Sequence, residues 1–301
     1  MNLRGNHQKE IEKKRAICYI TEMKIRAIQF SPALGNVSKN MDFHVKEIEK
    51  AVADERELII FPELSITGYD LKDILPEVTL TPGDTIIKQL EQLSDKIDIL
   101  VGAPYEEQGG IIYNCALYFS KGKLHHIHRK VQLPNFGMFQ EAMVFKAGDT
   151  FRTFQVGDFT AGIVICREIL FPSIAYLYCM QNTDFLIAIS NSPYRGITNI
   201  PEGFASLKLW ERLGDVYAIN YHQNYVFVNR SGFEDGYGFG GGSFFAAPGK
   251  GIVKQAVYFE ADTMDFEIDK ESVRRARMGG NYLRDEKPEV ILNELKRILN
   301  A

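Results

Sequence analysis

Short runs of purely apolar residues alternate along this chain with helical repeats of apolar residues, and this alternation is its most constraining feature. Leu58-Ile59-Ile60-Phe61 and Phe185-Leu186-Ile187-Ala188-Ile189 contain no polar residue, which is typical of strands buried on both faces. Between such runs, apolar residues recur at positions 41, 45, 48 and 52, the spacing of one helix face. The pattern predicts an α/β fold in which two β-sheets pack together and are covered outside by helices.

The same apolar runs and helical spacings give the order of the predicted helices and strands. Helices are predicted at 38–53, after Pro82-Gly83-Asp84, from Pro172 and at 202–220. Strands are predicted at 24–30, 58–61, 97–103, 111–119, 124–129, 151–156, 159–165, 185–189, 225–230, 243–247, 252–255 and 257–268. Two long loops remain, at 191–201 and at 130–150, and the second is long enough to suggest a function.

The two ends of the chain differ in composition from its middle. Residues 1–22 are polar and charged and lack the apolar core of a secretory signal, so we expect an N-terminal extension or a true start at Met23. A single domain is expected at 23–285, followed by a charged tail at 286–301. No apolar run reaches the ~20 residues that a membrane-spanning helix needs. We therefore expect no membrane association, and the few, widely spaced cysteines fit reduced thiols in a cytoplasmic protein.

Charge and cysteine content narrow the possible partners. The formal net charge is −4 at pH 7, so the chain lacks the basic field that binding to nucleic acid requires. Its 4 cysteines form no closely spaced pair and are too few for a disulfide scaffold. His125, His126 and His128 have no acidic or thiol partner nearby in sequence, so we interpret them as a solvated strand end and not a metal site. Neither a metal nor another cofactor is expected.

Three of the predicted strands end abruptly in a reactive side chain, namely Glu63, Lys130 and Cys166. Taken one at a time, these residues have ordinary interpretations as a turn cap, a solvated charge and a buried inert thiol. Strand ends of α/β folds, however, are places where side chains converge on a rigid frame to form ligand sites. The three positions therefore have to be considered together.

Together the three side chains could carry out nucleophilic catalysis. Cys166 is predicted to lie at a strand-to-helix junction, where the following N–H groups point at the sulfur, and we expect this to lower the thiol pKa. Glu63 could take the thiol proton and return it to a leaving amine. Lys130 and the backbone N–H of Arg167 could stabilise the oxyanion of a tetrahedral intermediate, and this chemistry needs no metal.

Three motifs surround these residues, and each is weak alone. They are Phe61-Pro62-Glu63-Leu64, Arg129-Lys130-Val131-Gln132-Leu133-Pro134 and Cys166-Arg167-Glu168-Ile169-Leu170-Phe171-Pro172. In their order and wide spacing they resemble the three signatures of the nitrilase (carbon–nitrogen hydrolase) superfamily. The resemblance runs from about Met23 to Arg284, nearly the whole chain outside its ends.

The resemblance implies a four-layer αββα sandwich of two mixed β-sheets flanked by helices. It also implies a role for each side chain: Cys166 as the nucleophile, Glu63 as the general base and acid, and Lys130 as the group that stabilises the tetrahedral intermediate. Members of the superfamily use a second glutamate in the loop after the lysine, and Glu141 occupies that place. The alternative for Glu141 is a carboxylate on a surface loop.

Within the superfamily, the chain is most similar to the glutamine-hydrolysing domain of NAD synthetase. The likeness is carried by the segments 62–69, 133–141 and 190–194. It implies that Phe136, Asn191 and Ser192 line the substrate pocket. The chain departs from that group in three places, since Phe136 replaces a tyrosine, Arg167-Glu168 replaces a pair that usually ends in aspartate, and Ser173 stands where many members have glutamate.

The leading hypothesis is therefore a stand-alone amidase that acts on a small amide, either aliphatic or glutamine-like, through a cysteine thioester and with release of ammonia. Two alternatives keep the same side chains but change the substrate to an N-carbamoyl amino acid or a nitrile. A third, of a different class, is a catalytically inactive subunit that binds a ligand or partner. The resemblance also suggests a homodimer or larger homo-oligomer built on the helices near 171–181 and 202–220.

Overall fold

The computed structural model describes residues 22–196, 204–280 and 282–300. The extension expected at 1–22 thus lies outside the described residues except for Glu22. Positions 197–201 of the loop expected at 191–201 and positions 202–203 of the helix expected at 202–220 also lie outside them. The strands are β1 (Glu22–Gln29), β2 (Leu58–Ile60), β3 (Asp98–Glu106), β4 (Ile112–Ser120), β5 (Lys123–Arg129), β6 (Phe154–Val156), β7 (Phe159–Ile165), β8 (Phe185–Ser190), β9 (Asn224–Asn229), β10 (Ser231–Glu234), β11 (Tyr237–Gly240), β12 (Phe244–Ala247), β13 (Gly251–Gln255) and β14 (Asp262–Asp269).

Two of the described helices, the first and the third, begin at residues whose side chains cap them. The α-helices are α1 (Val37–Ala53), α2 (Leu75–Val78), α3 (Thr85–Leu93), α4 (Glu141–Val144), α5 (Pro172–Met180), α6 (Ala205–Asn220), α7 (Lys270–Gly280), α8 (Tyr282–Asp285) and α9 (Pro288–Leu299). Asn36 caps α1 by accepting from the N–H of Lys39, and Asp84 caps α3 by accepting from the N–H of Ile86. Along the described segments, no helix is long and apolar enough to cross a membrane.

Two six-stranded sheets form the centre of the molecule. The first sheet has the order β14-β1-β2-β3-β4-β5, and the second has the order β13-β12-β9-β8-β7-β6. Each contains a parallel core, β1-β2-β3 in the first and β7-β8-β9 in the second, with antiparallel strands at its sides. Both sheets are therefore mixed. A short hairpin, β10-β11, lies apart from them.

Each sheet is buried on both faces. The inner faces share one apolar cluster, to which Ile25 and Ile60 contribute from the first sheet and Ile163 and Ile187 from the second. Outside the first sheet lie α1 and α3, packed on residues such as Ile59. Outside the second sheet lie α5 and α6, which contribute Tyr178 and Trp210 among others to a third cluster. The predicted four-layer αββα sandwich of two mixed sheets is confirmed.

Successive side chains of a strand point to opposite faces of its sheet, and this explains why the apolar runs of the sequence contain no polar residue. In β2, Leu58 and Ile60 belong to the inner cluster, whereas Ile59 between them belongs to the outer one. In β8, Ile187 points inwards and Leu186 points outwards. Since both faces lie in apolar layers, every position in such a strand excludes water and favours an aliphatic side chain.

Two predicted strands were wrong in extent, and the C-terminal tail contains a helix that was not predicted. The strand expected at 257–268 starts only at Asp262, because Phe259 has a left-handed backbone (φ 68°) that turns the chain. The strand expected at 151–156 is shortened to begin at Phe154. The expected tail contains a helix, α9, which starts at Pro288 and carries apolar residues at 291, 295 and 298.

Candidate active site

Glu63 lies just beyond the end of β2 and is completely buried. Its Oε1 accepts hydrogen bonds from Nζ of Lys130 at 2.6 Å and from Nδ2 of Asn114 at 2.8 Å. Its Oε2 accepts from the backbone N–H of Asn191 at 2.7 Å. A Cβ at Gly102 would lie 2.7 Å from Cα of Glu63, so only glycine lets β3 approach this turn. The carboxylate is thus held by three donors from three different segments.

Lys130 follows β5 directly and is also completely buried. Its backbone N–H donates to the carbonyl of Asn114 at 2.9 Å, and its Nζ donates to Glu63 at 2.6 Å and to Oε1 of Glu141 at 2.8 Å. Burial by itself would lower the pKa of Lys130, but the two carboxylates outweigh burial and raise it. The ammonium group therefore stays charged inside the protein.

Glu141 begins α4 and lies beside Lys130 with 4% of its surface exposed. Its Oε1 also accepts a hydrogen bond from the hydroxyl of Tyr69 at 2.7 Å, whereas its Oε2 is buried without a hydrogen-bond partner in the described segments. Burial, helped by the charge of Glu63, raises the pKa of Glu141, and Lys130 opposes this rise. The structure thus places Glu141 in the interior with Lys130 and not on a surface loop.

Cys166 follows β7 and opens a 3-10 turn that extends to Leu170. Its backbone is left-handed (φ 46°), a conformation that is rare for residues other than glycine and that often marks functional turns. The residue is 7% exposed, and the charges of Glu63, Lys130 and Glu141 all act on its thiol. The turn therefore delivers the sulfur to the same group of charged side chains.

The expected lowering of the thiol pKa is wrong. Burial, reinforced by the negative charge of Glu63, raises the pKa of Cys166 to about 12, although Lys130 opposes the rise. The N–H groups of one short turn cannot compensate for a sulfur that is almost fully withdrawn from water. The resting thiol is therefore protonated at neutral pH, and forming its thiolate requires a base.

The predicted pocket residues divide into two groups. The Asn191 amide side chain is buried, and neither its Nδ2 nor its Oδ1 has a hydrogen-bond partner among the described residues. Such unsatisfied buried groups are available to a ligand. Ser192, in contrast, accepts a hydrogen bond from Nε1 of Trp210 at 2.8 Å, which engages its hydroxyl with the outer helix layer. Asn191 thus lies with Glu63, and Ser192 is turned towards α6.

Phe136 and Arg167 form an aromatic and cationic cluster with two neighbours. The guanidinium of Arg167 lies 4.6 Å from the ring centre of Phe136, which packs edge-on against Phe139 at 5.4 Å. The guanidinium of Arg195 lies 4.8 Å from the ring centre of Phe139. Phe139 also packs against Tyr69, the hydrogen-bond partner of Glu141. Two guanidinium groups are therefore linked to the buried carboxylates through one aromatic cluster.

The three histidines do not form a solvated strand end. His125 is exposed, but His126 stacks on Phe154 at 4.4 Å and His128 is 2% exposed. The His128 side chain is buried because its Nε2 bonds to Glu168 at 2.8 Å, a partner far away in sequence. Within residues 22–196, 204–280 and 282–300, no group of three metal-ligating side chains comes together.

Sequence reasoning missed Asn114, and the structure makes it a central residue. It lies in β4, completely buried, and contacts both Glu63 through its side chain and Lys130 through its carbonyl. An amide within an otherwise apolar strand is the signal that could have revealed it.

A cavity of about 380 Å³, within the usual size range of small-molecule sites, adjoins Tyr69 and Glu141.

Comparison with protein families gives one match over most of the chain. The family described as Carbon-nitrogen hydrolase matches residues 24–278. Among curated relatives, the glutamine-dependent NAD(+) synthetase of Thermotoga maritima is 24% identical over 254 residues, which cover 82% of this chain and 42% of the relative. A nitrilase of Pyrococcus abyssi is 25% identical over 261 residues, covering 85% of this chain and 93% of the relative.

Solved structures share the same architecture. A carbon-nitrogen hydrolase from Helicobacter pylori G27 aligns with a TM-score of 0.79 at 20% identity, covering 92% of this chain and 99% of that one. A glutamine-dependent NAD+ synthetase from Acinetobacter baumannii aligns with a TM-score of 0.74 at 26% identity, covering 84% of this chain and 47% of that one. The chain therefore spans less than half the length of the NAD synthetases that it matches.

Proposed function

This chain belongs to the carbon–nitrogen hydrolase family of the nitrilase superfamily, and from that premise we propose that it hydrolyses a small amide through a thioester on Cys166. The observation that carries the proposal is the buried contact of Lys130 Nζ with Glu63 at 2.6 Å and with Glu141 at 2.8 Å, next to the turn that holds Cys166. These are the groups that acyl transfer from an amide requires.

In the first half of the proposed reaction, the amide carbon becomes bonded to sulfur. Glu63 takes the thiol proton of Cys166 while the sulfur attacks the carbonyl carbon, because a thiol whose pKa is raised to about 12 does not ionise by itself. Lys130 and the N–H of Arg167 stabilise the resulting oxyanion. Glu63 then returns the proton to the amide nitrogen, the carbon–nitrogen bond breaks, and ammonia leaves a thioester.

In the second half, water replaces ammonia. Glu63 removes a proton from a water molecule, which attacks the thioester carbon, and the same oxyanion stabilisation by Lys130 applies. Collapse of this intermediate breaks the carbon–sulfur bond, and the proton held by Glu63 passes to the sulfur of Cys166. The products are a carboxylic acid and the regenerated thiol. Glu63 alternates between base and acid in both halves, which its buried position next to Lys130 supports.

For the substrate, we propose a glutamine-like amide that carries a carboxylate away from the reacting group. Arg167 directly follows Cys166, and Arg195 lies on the same aromatic cluster through Phe139. Neither guanidinium has an ion pair with any carboxylate in the described parts of the chain. A carboxylate of the substrate would supply the missing partner, since arginine binds carboxylates by paired hydrogen bonds.

A matched pair of substrates tests this assignment. The monoamide of glutaric acid and pentanamide have the same chain length and differ in the terminal carboxylate. We expect Arg167→Met and Arg195→Met each to lower kcat/KM for the monoamide by about tenfold and to change kcat/KM for pentanamide little, because one charge-assisted hydrogen bond is lost. The measurement is ammonia release at several substrate concentrations.

Arg212→Met, which removes an exposed arginine of α6, is the matched control. Equal losses for both substrates would contradict recognition of a carboxylate. The same assay should include a nitrile and an N-carbamoyl amino acid, the substrates of the alternative hypotheses. Ammonia from either of these, together with none from amides, would replace the amidase proposal. Inactivity on all of them would favour a binding subunit.

We further propose that the chain forms a homodimer. Leu177 on α5 and Val216 and Ile219 on α6 are each more than two-fifths exposed, and α9 adds an exposed apolar face that includes Leu295. The ring of Tyr282 on α8 packs edge-on against that of Tyr221, just after α6, at 5.4 Å, so the segment leading to α9 lies beside the end of α6. Apolar faces of this kind often mark contacts between copies.

Size-exclusion chromatography with light scattering tests the oligomeric state. We expect twice the mass of one chain for the wild type and the mass of one chain for Leu177→Glu with Ile219→Glu, because charges would then line the apolar face. Phe233→Glu, at an exposed apolar residue of the β10-β11 hairpin, is the control. A wild type with the mass of one chain would refute the dimer.

A further inference from the structure

Glu168 is a completely buried carboxylate that the proposed reaction does not use. Its Oε1 accepts a hydrogen bond from the backbone N–H of Val131 at 2.6 Å. Its Oε2 accepts from the backbone N–H of Ile165 at 2.6 Å and bonds to Nε2 of His128 at 2.8 Å. A buried carboxylate is costly unless hydrogen bonds compensate it, and here three short ones do.

The two backbone N–H groups bonded to Glu168 each belong to a residue next to a reactive one. Val131 immediately follows Lys130, and Ile165 immediately precedes Cys166. Lys130 follows β5 at the edge of the first sheet, whereas Cys166 follows β7 in the second sheet. The carboxylate of Glu168 therefore connects the backbone next to Lys130, in the first sheet, with the backbone next to Cys166, in the second sheet.

We propose that Glu168 is a positioning residue that fixes Lys130 relative to the sulfur of Cys166, with His128 holding its second oxygen. This inference rests on the proposed function, since it concerns the geometry of the same reaction. The carboxylate does not need to touch the substrate. Its effect reaches the reaction through the two backbone N–H groups that it holds.

A glutamate suits this position and its close analogues do not. Two N–H donors approach different oxygens, so both oxygens must accept. Glutamine has only one accepting oxygen, and its NH₂ group would face a backbone N–H. Aspartate is shorter by one methylene and cannot reach both segments without moving one of them. The His128 side chain is buried and tilted against Phe151 at 5.8 Å, which fixes the ring that bonds to Oε2.

A positioning role for Glu168 predicts different effects on two reactions of the Cys166 sulfur, namely amide hydrolysis and alkylation. Hydrolysis of an amide passes through an oxyanion, so it depends on where Lys130 lies relative to the sulfur. Alkylation of Cys166 by iodoacetamide forms no oxyanion at the carbonyl, so it depends on the thiol and its base Glu63 but not on Lys130 in that role. A displaced Lys130 therefore slows hydrolysis and leaves alkylation nearly unchanged.

The test compares Glu168→Gln with the wild type in both reactions. We expect kcat for the preferred amide to fall by about 10²-fold, because a shift of about 1 Å in a reacting group has effects of this size. KM and the alkylation rate of Cys166, followed by mass spectrometry with Cys115 and Cys179 as internal references, should stay within about threefold of the wild type. Glu47→Gln, the same change at a buried glutamate of α1, is the control.

A second variant keeps the test decisive if Glu168→Gln does not fold. His128→Gln removes one bond and leaves both backbone bonds, so we expect a smaller fall in kcat with unchanged alkylation. Loss of hydrolysis and alkylation in parallel, or full activity of the variant that folds, would overturn the positioning role. A wild type that releases no ammonia from any amide would overturn the proposed function and this inference with it, whereas an active wild type with active variants would overturn only this inference.

Discussion

Replacing Cys166 with alanine is expected to lower kcat for amide hydrolysis by on the order of 10⁴-fold or more, to the limit of detection. The reason is that the thioester can no longer form, so the groups around it have no nucleophile to assist. Cys166 lies on a turn with a left-handed backbone, beyond the end of β7, so we expect its replacement to leave that strand intact. Ammonia release by the purified variant, measured over hours at high enzyme concentration, gives the result.

Cys179→Ala is the matched control, because Cys179 is also a buried free cysteine but lies on α5 in the outer helical layer. It should retain activity close to that of the wild type. A stable acyl adduct of the wild type, trapped by acid quenching and located by mass spectrometry, should map to Cys166 alone. Unchanged ammonia release by Cys166→Ala would end the proposed mechanism.

Glu63→Gln is expected to lower kcat/KM by roughly 10³-fold at pH 7, because the thiol loses its base. Burial and then the charge of Glu63 raise the pKa of Cys166 to about 12 in the wild type. Removing that charge lowers the thiol pKa, but the buried sulfur still stays protonated at neutral pH. The activity of the variant therefore depends on the small fraction of molecules in which Cys166 is already ionised.

The pH dependence follows from this fraction. Below the thiol pKa, each unit of increasing pH raises the thiolate fraction about tenfold, so the rate of Glu63→Gln should rise steeply from pH 6 to pH 10. The wild type carries its own base and should depend on pH much less steeply above neutrality. Glu106→Gln, at the end of β3, serves as the control. A variant whose profile parallels that of the wild type would show that Glu63 is not the base.

Much of the fold was predictable because its signals are local. An apolar run such as 58–61 needs two apolar faces, and this requirement alone implies a sheet covered on both sides. The reactive side chains could be found for the same reason, since Glu63, Lys130 and Cys166 each interrupt such a pattern where a strand ends. Their convergence was expected from these strand ends, and the family resemblance added a role for each.

The remaining features depend on contacts between distant parts of the sequence. The raised pKa of Cys166 comes from burial and from Glu63, and neither can be read from the residues next to the sulfur. His128 looked solvated because its partner, Glu168, lies 40 residues further along the chain. The helix α9 was different, since its apolar spacing was present in the sequence but was hidden by the many charges around it.

The division of the reactive groups between two sheets also has a consequence during synthesis. The first sheet is complete only when β14 pairs with β1, and β14 lies near the end of the chain. A chain still emerging from the ribosome thus carries the sulfur of Cys166 before Glu63 and Lys130 have a finished sheet to hold them. A chain that lacks β14 therefore lacks one edge strand of the sheet in which β2 and β5 lead to Glu63 and Lys130.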